Sequence, residues 1–291
     1  MRNCSQRRQA FAALSALLAL TLAIPAAFAG DRCQILDNLY DPIYRVQAGL
    51  LPRSRTDAGG STTVLELDAD WEMGFFRLPW GEADLYTRMR NSFFIGSGGM
   101  NLPSQATALA LDVGWTMRFG DGKALQLRAR PGLYADGSTL DSRGWHTPFS
   151  CSVIQSFYRN LSGIVGLDVR PGFDRTLMPI VGLKWEPFHW LGIEPRLPQS
   201  RIVWFVTPEW SAYGSFAWRN DSYALHDERR MMTIQDFRIV GGVSHRVSHQ
   251  MELSVDVGRV FSREVKYRRP DSERHEVSQT LFARIGVGGP F

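Results

Sequence analysis

The feature that most constrains the fold is a strict two-residue period between Thr63 and Met73. Leu65, Leu67, Ala69, Trp71 and Met73 alternate there with Glu66, Asp68, Asp70 and Glu72. A strand sends successive side chains to opposite faces, so this segment carries five apolar groups on one side and four carboxylates on the other. Wound as a helix, the same carboxylates would be scattered around the cylinder. The pattern returns at Leu109, Leu111, Val113, Trp115 and Met117, with Asp112 and Arg118 out of phase. It returns again at Leu125, Leu127 and Ala129 against Gln126, Arg128 and Arg130, and at Met251, Leu253, Val255 and Val257 against Glu252 and Asp256.

Turn residues divide these runs. Gly120-Asp121-Gly122, the surroundings of Asn160, and Thr207-Pro208 mark tight connections. Pro52–Ser61, Gly96–Gln105, Ala135–Phe149, Asn220–Arg230 and Arg263–Glu276 are longer and polar. Strands are expected near 43–50, 62–73, 83–94, 106–118, 123–134, 150–158, 162–170, 176–186, 189–195, 199–206, 209–219, 232–246, 249–262 and 278–288. Short and long connections then alternate along nearly the whole chain. That is the grammar of an all-β protein, a transmembrane antiparallel up-and-down β-barrel of about 12–14 strands. The pair within 189–206 decides between the two counts.

The chain begins with a basic stretch (Arg2, Arg7, Arg8), an uncharged and mostly apolar run from Phe11 to Ile24, and the small-x-small site Ala27-Phe28-Ala29. These read as a signal peptide over 1–29. Residues 30–42 follow as a short periplasmic segment, and 43–291 as the barrel of a Gram-negative outer membrane. Without the signal, 30 basic residues face 29 acidic ones, and a net charge of +1 gives no basis for a nucleic-acid partner. Cys33 and Cys151 remain after cleavage; an oxidising periplasm permits a disulfide between them, and two free thiols fit equally well.

Trp71, Trp115, Trp185, Trp190, Trp204 and Trp210 fall near the connections read as short, most of them in phase with the outward apolar residues. An indole at headgroup level buries its ring and keeps its N–H wet, so these six are the expected membrane-interface aromatics. Outer-membrane lipid is the partner that follows. Phe291 shares its parity with Leu281, Ala283, Ile285 and Val287, resembling the terminal strand by which the outer-membrane assembly machinery recognises barrels. Pro290 and the glycines at 286, 288 and 289 depart from that pattern.

Several stretches in the C-terminal half carry a resemblance: Pro198 to Trp204, Trp210 to Gly214, Ser222-Tyr223, Asp236 to Arg246 and Val257 to Tyr267. They resemble a family of uncharacterised Gram-negative outer-membrane β-barrels, classed as a domain of unknown function. The resemblance implies fold and location, and it brings no catalytic or ligand residues.

A barrel turns its charges inward. Glu66, Asp68, Asp70 and Glu72 share one strand, Asp84, Arg88 and Arg90 the next, and Arg128 and Arg130 lie one hairpin further on. These nine are the candidate lumen charges. They form either a constriction that selects solutes by its field or a cross-strand ladder that stiffens a narrow interior. The mixed signs on adjacent strands favour the ladder. Three functions are open: a narrow pore or solute channel, a closed structural or adhesive barrel acting through its loops, and a membrane-embedded lipid-modifying enzyme. The enzyme is the weakest, because Ser244 and His245 are neighbours on a strand and point to opposite faces. No cofactor and no metal site follow from the Cys/His spacing.

Overall fold

The computed structural model describes residues 44–289 except 97–98, 120–121, 138–141, 227–230 and 269–272. The signal segment, residues 30–42 with Cys33, the turn residues Gly120 and Asp121, and Phe291 lie outside the described residues.

Fourteen strands form one closed antiparallel barrel in chain order. They are β1 Tyr44–Arg55, β2 Ser61–Leu78, β3 Gly81–Ile95, β4 Gln105–Arg118, β5 in two pieces Lys123–Ala129 and Gly132–Asp136, and β6 in two pieces Trp145–His146 and Phe149–Tyr158. Then come β7 Leu161–Val169, β8 Leu177–Phe188, β9 as Leu191–Glu194 and Arg196–Leu197, β10 Gln199–Phe205, β11 Trp210–Ala224, β12 Met231–Ser248, β13 Met251–Arg268, and β14 as Glu273–Val277 and Thr280–Gly289. Pairing of β14 with β1, from Tyr44↔Gly289 to Leu50↔Ala283, closes the ring and leaves no edge.

The doubtful pair is real, which settles the count at fourteen rather than twelve. β9 pairs with β8 (Trp185↔Ile193, Val181↔Leu197), and β10 pairs with both β9 and β11. Both are short, so the wall is low there, while β2, β12 and β13 run to 18 residues each.

The five fully described tight turns, the start of β1 and the end of β14 lie at one end of the barrel, called here the turn end; the longer connections lead off from the other, the loop end. The outer surface is a band of exposed apolar side chains, among them Leu109, Leu111, Val113, Val165, Leu167, Val181, Ile202, Ile239, Val255, Val257, Leu281 and Ile285. Their partners in the opposite phase face inward, and Asp112 and Asp256 there are buried. The alternation seen in the sequence is therefore the alternation of the two faces. Cys151 is exposed on the outer face, paired across to Leu127 and Leu167.

At the turn end, Trp185, Trp190, Trp204 and Trp210 are exposed and Trp71 and Trp115 half-buried. Phe188 stacks on Trp190 at 4.8 Å and Trp210 on His245 at 4.2 Å. One placement differs from expectation. Trp71 lies well inside β2, which continues past a bulge at Glu72–Gly74 to Leu78. The rim position belongs to Trp80 in the following turn, the most exposed of these indoles.

Candidate functional site

The inward charges form two layers. Along β2 to β7 they make an ion-pair ladder. Arg88 Nε stands 2.9 Å from Asp112 and a looser 3.8 Å from Asp70. Arg128 reaches Asp84 at 3.0 Å and Asp112 at 3.3 Å. Arg130 and Arg170 hold Asp168 at 2.9 and 2.7 Å, and Tyr86 donates to Glu72 at 3.3 Å. Asp68 lies opposite Arg90 in the register and bonds it at 3.2 Å. Asp112 has no exposed side-chain surface and serves two arginines, whereas Arg88 keeps 40 % of its side chain exposed. Asp112→Asn should therefore cost about 1–3 kcal/mol, below the range for a fully buried pair because Arg88 can re-solvate; denaturant unfolding of the purified barrel measures it.

The second layer crosses the lumen. Glu66 is buried and bonds nothing on β3. It accepts from Arg219 at 2.6 Å and, through both carboxylate oxygens, from Arg238 at 2.6 and 2.8 Å. Arg238 also donates to Asp236 at 2.8 Å, and Arg90 reaches past Asp68 to Asp221 at 2.8 Å. Arg219, Asp221, Asp236 and Arg238 were not singled out in the sequence. The i,i+2 spacing of opposite charges, Arg219 with Asp221 and Asp236 with Arg238, is the signal that places each pair on one face of its strand.

Above this layer the β11–β12 ribbon leaves the wall. At Asp236 one residue of β12 faces two on β13, Ser262 and Arg263, and Ser262 has φ +50°. Such a bulge bends the strand and re-aims its side chains. Met232 to Asp236 are then buried without interruption, on both faces of the strand. The tip reaches β5, six strands away in a ring of fourteen. Ala224 bridges Ala135, and the His226 N–H donates to the Asp136 carboxylate at 2.9 Å. Met100, Tyr223, Met232, Ile234, Val265 and Tyr267 pack under it as an apolar cluster.

The β7–β8 loop completes the closure. Arg170 donates to the Asn220 carbonyl at 2.9 Å, the Asp174 N–H donates to Ser222 Oγ at 3.2 Å, and Phe173 is buried against Tyr134 and Ala110. Gly172 allows this turn: its φ is +85°, and a Cβ there would meet His146 Nδ1 at 2.4 Å. Ribbon and loop together reach into the lumen near the loop end and are called here the stopper.

Below the stopper the lumen opens into a vestibule of about 260 Å³ between β1 and β9–β14. Arg238, bonded to Glu66, forms part of its lining. At the loop end outside the barrel wall, Asp57 accepts from the Glu276 N–H and stands 3.4 Å from His275. The Glu276 N–H, with a lesser contribution from His275, holds its carboxyl below the usual carboxylate range against the opposing effect of desolvation.

No nucleophile and base converge among the described residues. Ser244 bonds Ser211 at 2.7 Å, while His245 lies on the Trp210 ring. His146 packs between Tyr134 and Phe173. No group of three or more His, Cys, Asp or Glu that could hold a metal ion occurs among the described residues.

The fold is a closed fourteen-strand antiparallel β-barrel with a band of exposed apolar side chains. No family model matches the chain, and no curated protein does; the likeness of Pro198 to Tyr267 to an uncharacterised barrel family therefore stays at the level of sequence. Among solved structures the chain is similar to an outer-membrane channel from Pseudomonas putida F1, at 9 % identity over 89 % of this chain and 99 % of the other, with a TM-score of 0.46. It is also similar to the NanC porin (6 % identity, 85 % and 100 % covered, TM-score 0.42) and the KdgM porin (8 %, 85 % and 99 %, 0.35).

Proposed function

We propose that this protein is an outer-membrane channel for small hydrophilic solutes, gated at its outer mouth by the inward-folded β11–β12 ribbon. The observation that carries the reading is the pairing of a polar vestibule with a stopper held by discrete, breakable contacts. A barrel that served only as a structural body would gain more from a continuous apolar core than from charges desolvated in pairs.

The location rests on the outer face. An unbroken apolar band above a Trp-rich rim suits hydrocarbon bounded by headgroups, and a closed sheet satisfies every wall hydrogen bond internally. The turn end then faces the periplasm and the stoppered end the outside. Val257 lies near mid-height of β13 with 63 % of its surface exposed. Val257→Arg should impair assembly by about 2–4 kcal/mol, the cost of a cation at the bilayer midplane. Heat-modifiable mobility on gels reports assembly, and a variant that folds like the parent would refute the lipid-facing assignment.

The channel reading is tested by shortening the ribbon. Asn220 and Gln235 are cross-strand partners, so an Asn-Gly turn can replace Asp221–Ile234. Proteoliposomes carrying the shortened barrel should swell markedly faster in small sugars than those carrying the parent. Equal swelling would remove the ribbon as the gate.

A further inference from the structure

On the outer wall, the apolar band ends toward the loop end in a group of arginines. Leu50 on β1, Val257 on β13 and Leu281 on β14 are exposed within the band. Just beyond them stand Arg53 and Arg55 on β1 and Arg259 on β13, all three exposed. Parity sets Arg55 and Arg259 outward, because Ser54 and Val260 beside them are buried on the lumen side. Arg53 joins Arg55 there: its Nε donates to Ser61 Oγ at 2.6 Å, and Ser61 is the register partner of Arg55. The Arg55 N–H donates to Ser278 Oγ at 3.0 Å and Arg259 Nη2 to Gln279 Oε1 at 2.6 Å, so the two strands meet adjacent residues of the link within β14. None of the three arginines has an ion pair among the described residues; the side-chain hydrogen bonds they make go to neutral groups. Asp57 and Glu276, further toward the loop end, already face His275 at 3.4 Å and Arg274 at 3.6 Å. Beside Arg259 on the same face, Phe261 stacks 6.0 Å from Phe237, and Phe237 lies 5.9 Å from Trp218, a row of rings across β13, β12 and β11. Such a row suits the level where hydrocarbon gives way to headgroups.

We infer that Arg53, Arg55 and Arg259 form a docking site for the phosphate of an anionic lipid headgroup in the outer leaflet. Arg259 lies between Ile239 and Leu281, which are 56 % and 70 % exposed, so its stem runs along hydrocarbon while its guanidinium stays at the border. Cations held at that level without a carboxylate leave the counter-charge to the membrane. A phosphate supplies it, and its oxygens match the planar fork of a guanidinium bidentately. Two strand spacings separate β13 from β1, about 10 Å, which long arginine side chains span toward one shared headgroup. Between them the chain presents only the neutral Ser278 and Gln279, so no negative charge opposes the ligand. The inference rests on the lipid-facing reading of the outer wall, and it names the headgroup chemistry that this part of the wall takes.

The test is native mass spectrometry of the detergent-purified full barrel titrated with diphosphoryl lipid A, whose headgroup carries two phosphates. Saturable uptake is expected. The triple variant Arg53→Gln, Arg55→Gln, Arg259→Gln should bind about tenfold or more weakly, as loss of charge-assisted forks implies. Lysine at the same three positions keeps the charges without the forks and should fall between. Arg246→Gln, at an exposed position of the turn end, should leave binding unchanged. Heat-modifiable mobility confirms that each variant is folded. No saturable uptake by the parent, a triple glutamine variant that binds like the parent, or an equal loss in Arg246→Gln each overturns the site. Displacement of the lipid by inorganic phosphate at equal concentration would assign the arginines to a free anion and overturn it as well. The location is judged separately. If Val257→Arg impairs assembly and the parent takes up no lipid A, only the headgroup site falls; if Val257→Arg assembles like the parent, the lipid-facing wall falls.

Discussion

Replacing Glu66 with glutamine should cost the barrel about 3–5 kcal/mol, the range for breaking a buried ion pair by removing one partner. The change is a single atom in size, so packing is nearly unaltered. What it removes is the carboxylate held between Arg219 and Arg238, whose side chains are each only 9 % exposed. Asp236 and Asp221 remain, but each already serves another arginine, Arg263 or Arg90. The cluster is left with one uncompensated buried cation. Arg238→Gln alone should be comparably damaging for the opposite reason, a surplus carboxylate. The double variant restores neutrality and should recover a substantial part of the loss, a coupling that urea unfolding in detergent can read as a double-mutant cycle. If the two single losses simply add, Glu66 and Arg238 are not a pair in the folded barrel.

The wall of this protein was legible in its sequence, and the reason is physical. Solvents of opposite polarity on the two faces of one sheet impose a period of two. Leu109, Leu111 and Val113 accordingly read as one face, and Asp112 as the other. Closure into a ring added nothing to that pattern and concealed its consequences. Parity says that Glu66 points inward; it does not say which strand stands opposite. The partners are Arg219 and Arg238, 153 and 172 residues away, while the nearer Arg88 and Arg90 take Asp112 and Asp221 as their shortest contacts.

The stopper was hidden for a different reason. Met232 to Asp236 shows no alternation because both faces are buried once the ribbon leaves the wall. The bend itself depends on Ser262 adopting φ +50°, a conformation that no residue type announces there. Outer loops were expected from polar composition between residues 220 and 230, and Ser222 and Tyr223 are instead fully buried. A segment packed on both faces against loop and wall loses its surface pattern, and with it the signal.

Fixing the stopper to the opposite wall tests the central claim most directly. Ala135 and Ala224 are partners in the bridge between β5 and β11, at the strand spacing that a disulfide can span. Introducing Ala135→Cys and Ala224→Cys, with Cys33 and Cys151 replaced by serine, allows the ribbon to be locked and released by redox alone. In planar bilayers the oxidised barrel should show no openings, and reductant should restore the step conductance of the parent. Identical conductance in the oxidised and reduced states would show that solutes bypass the ribbon, and would contradict the account of a barrel gated by it.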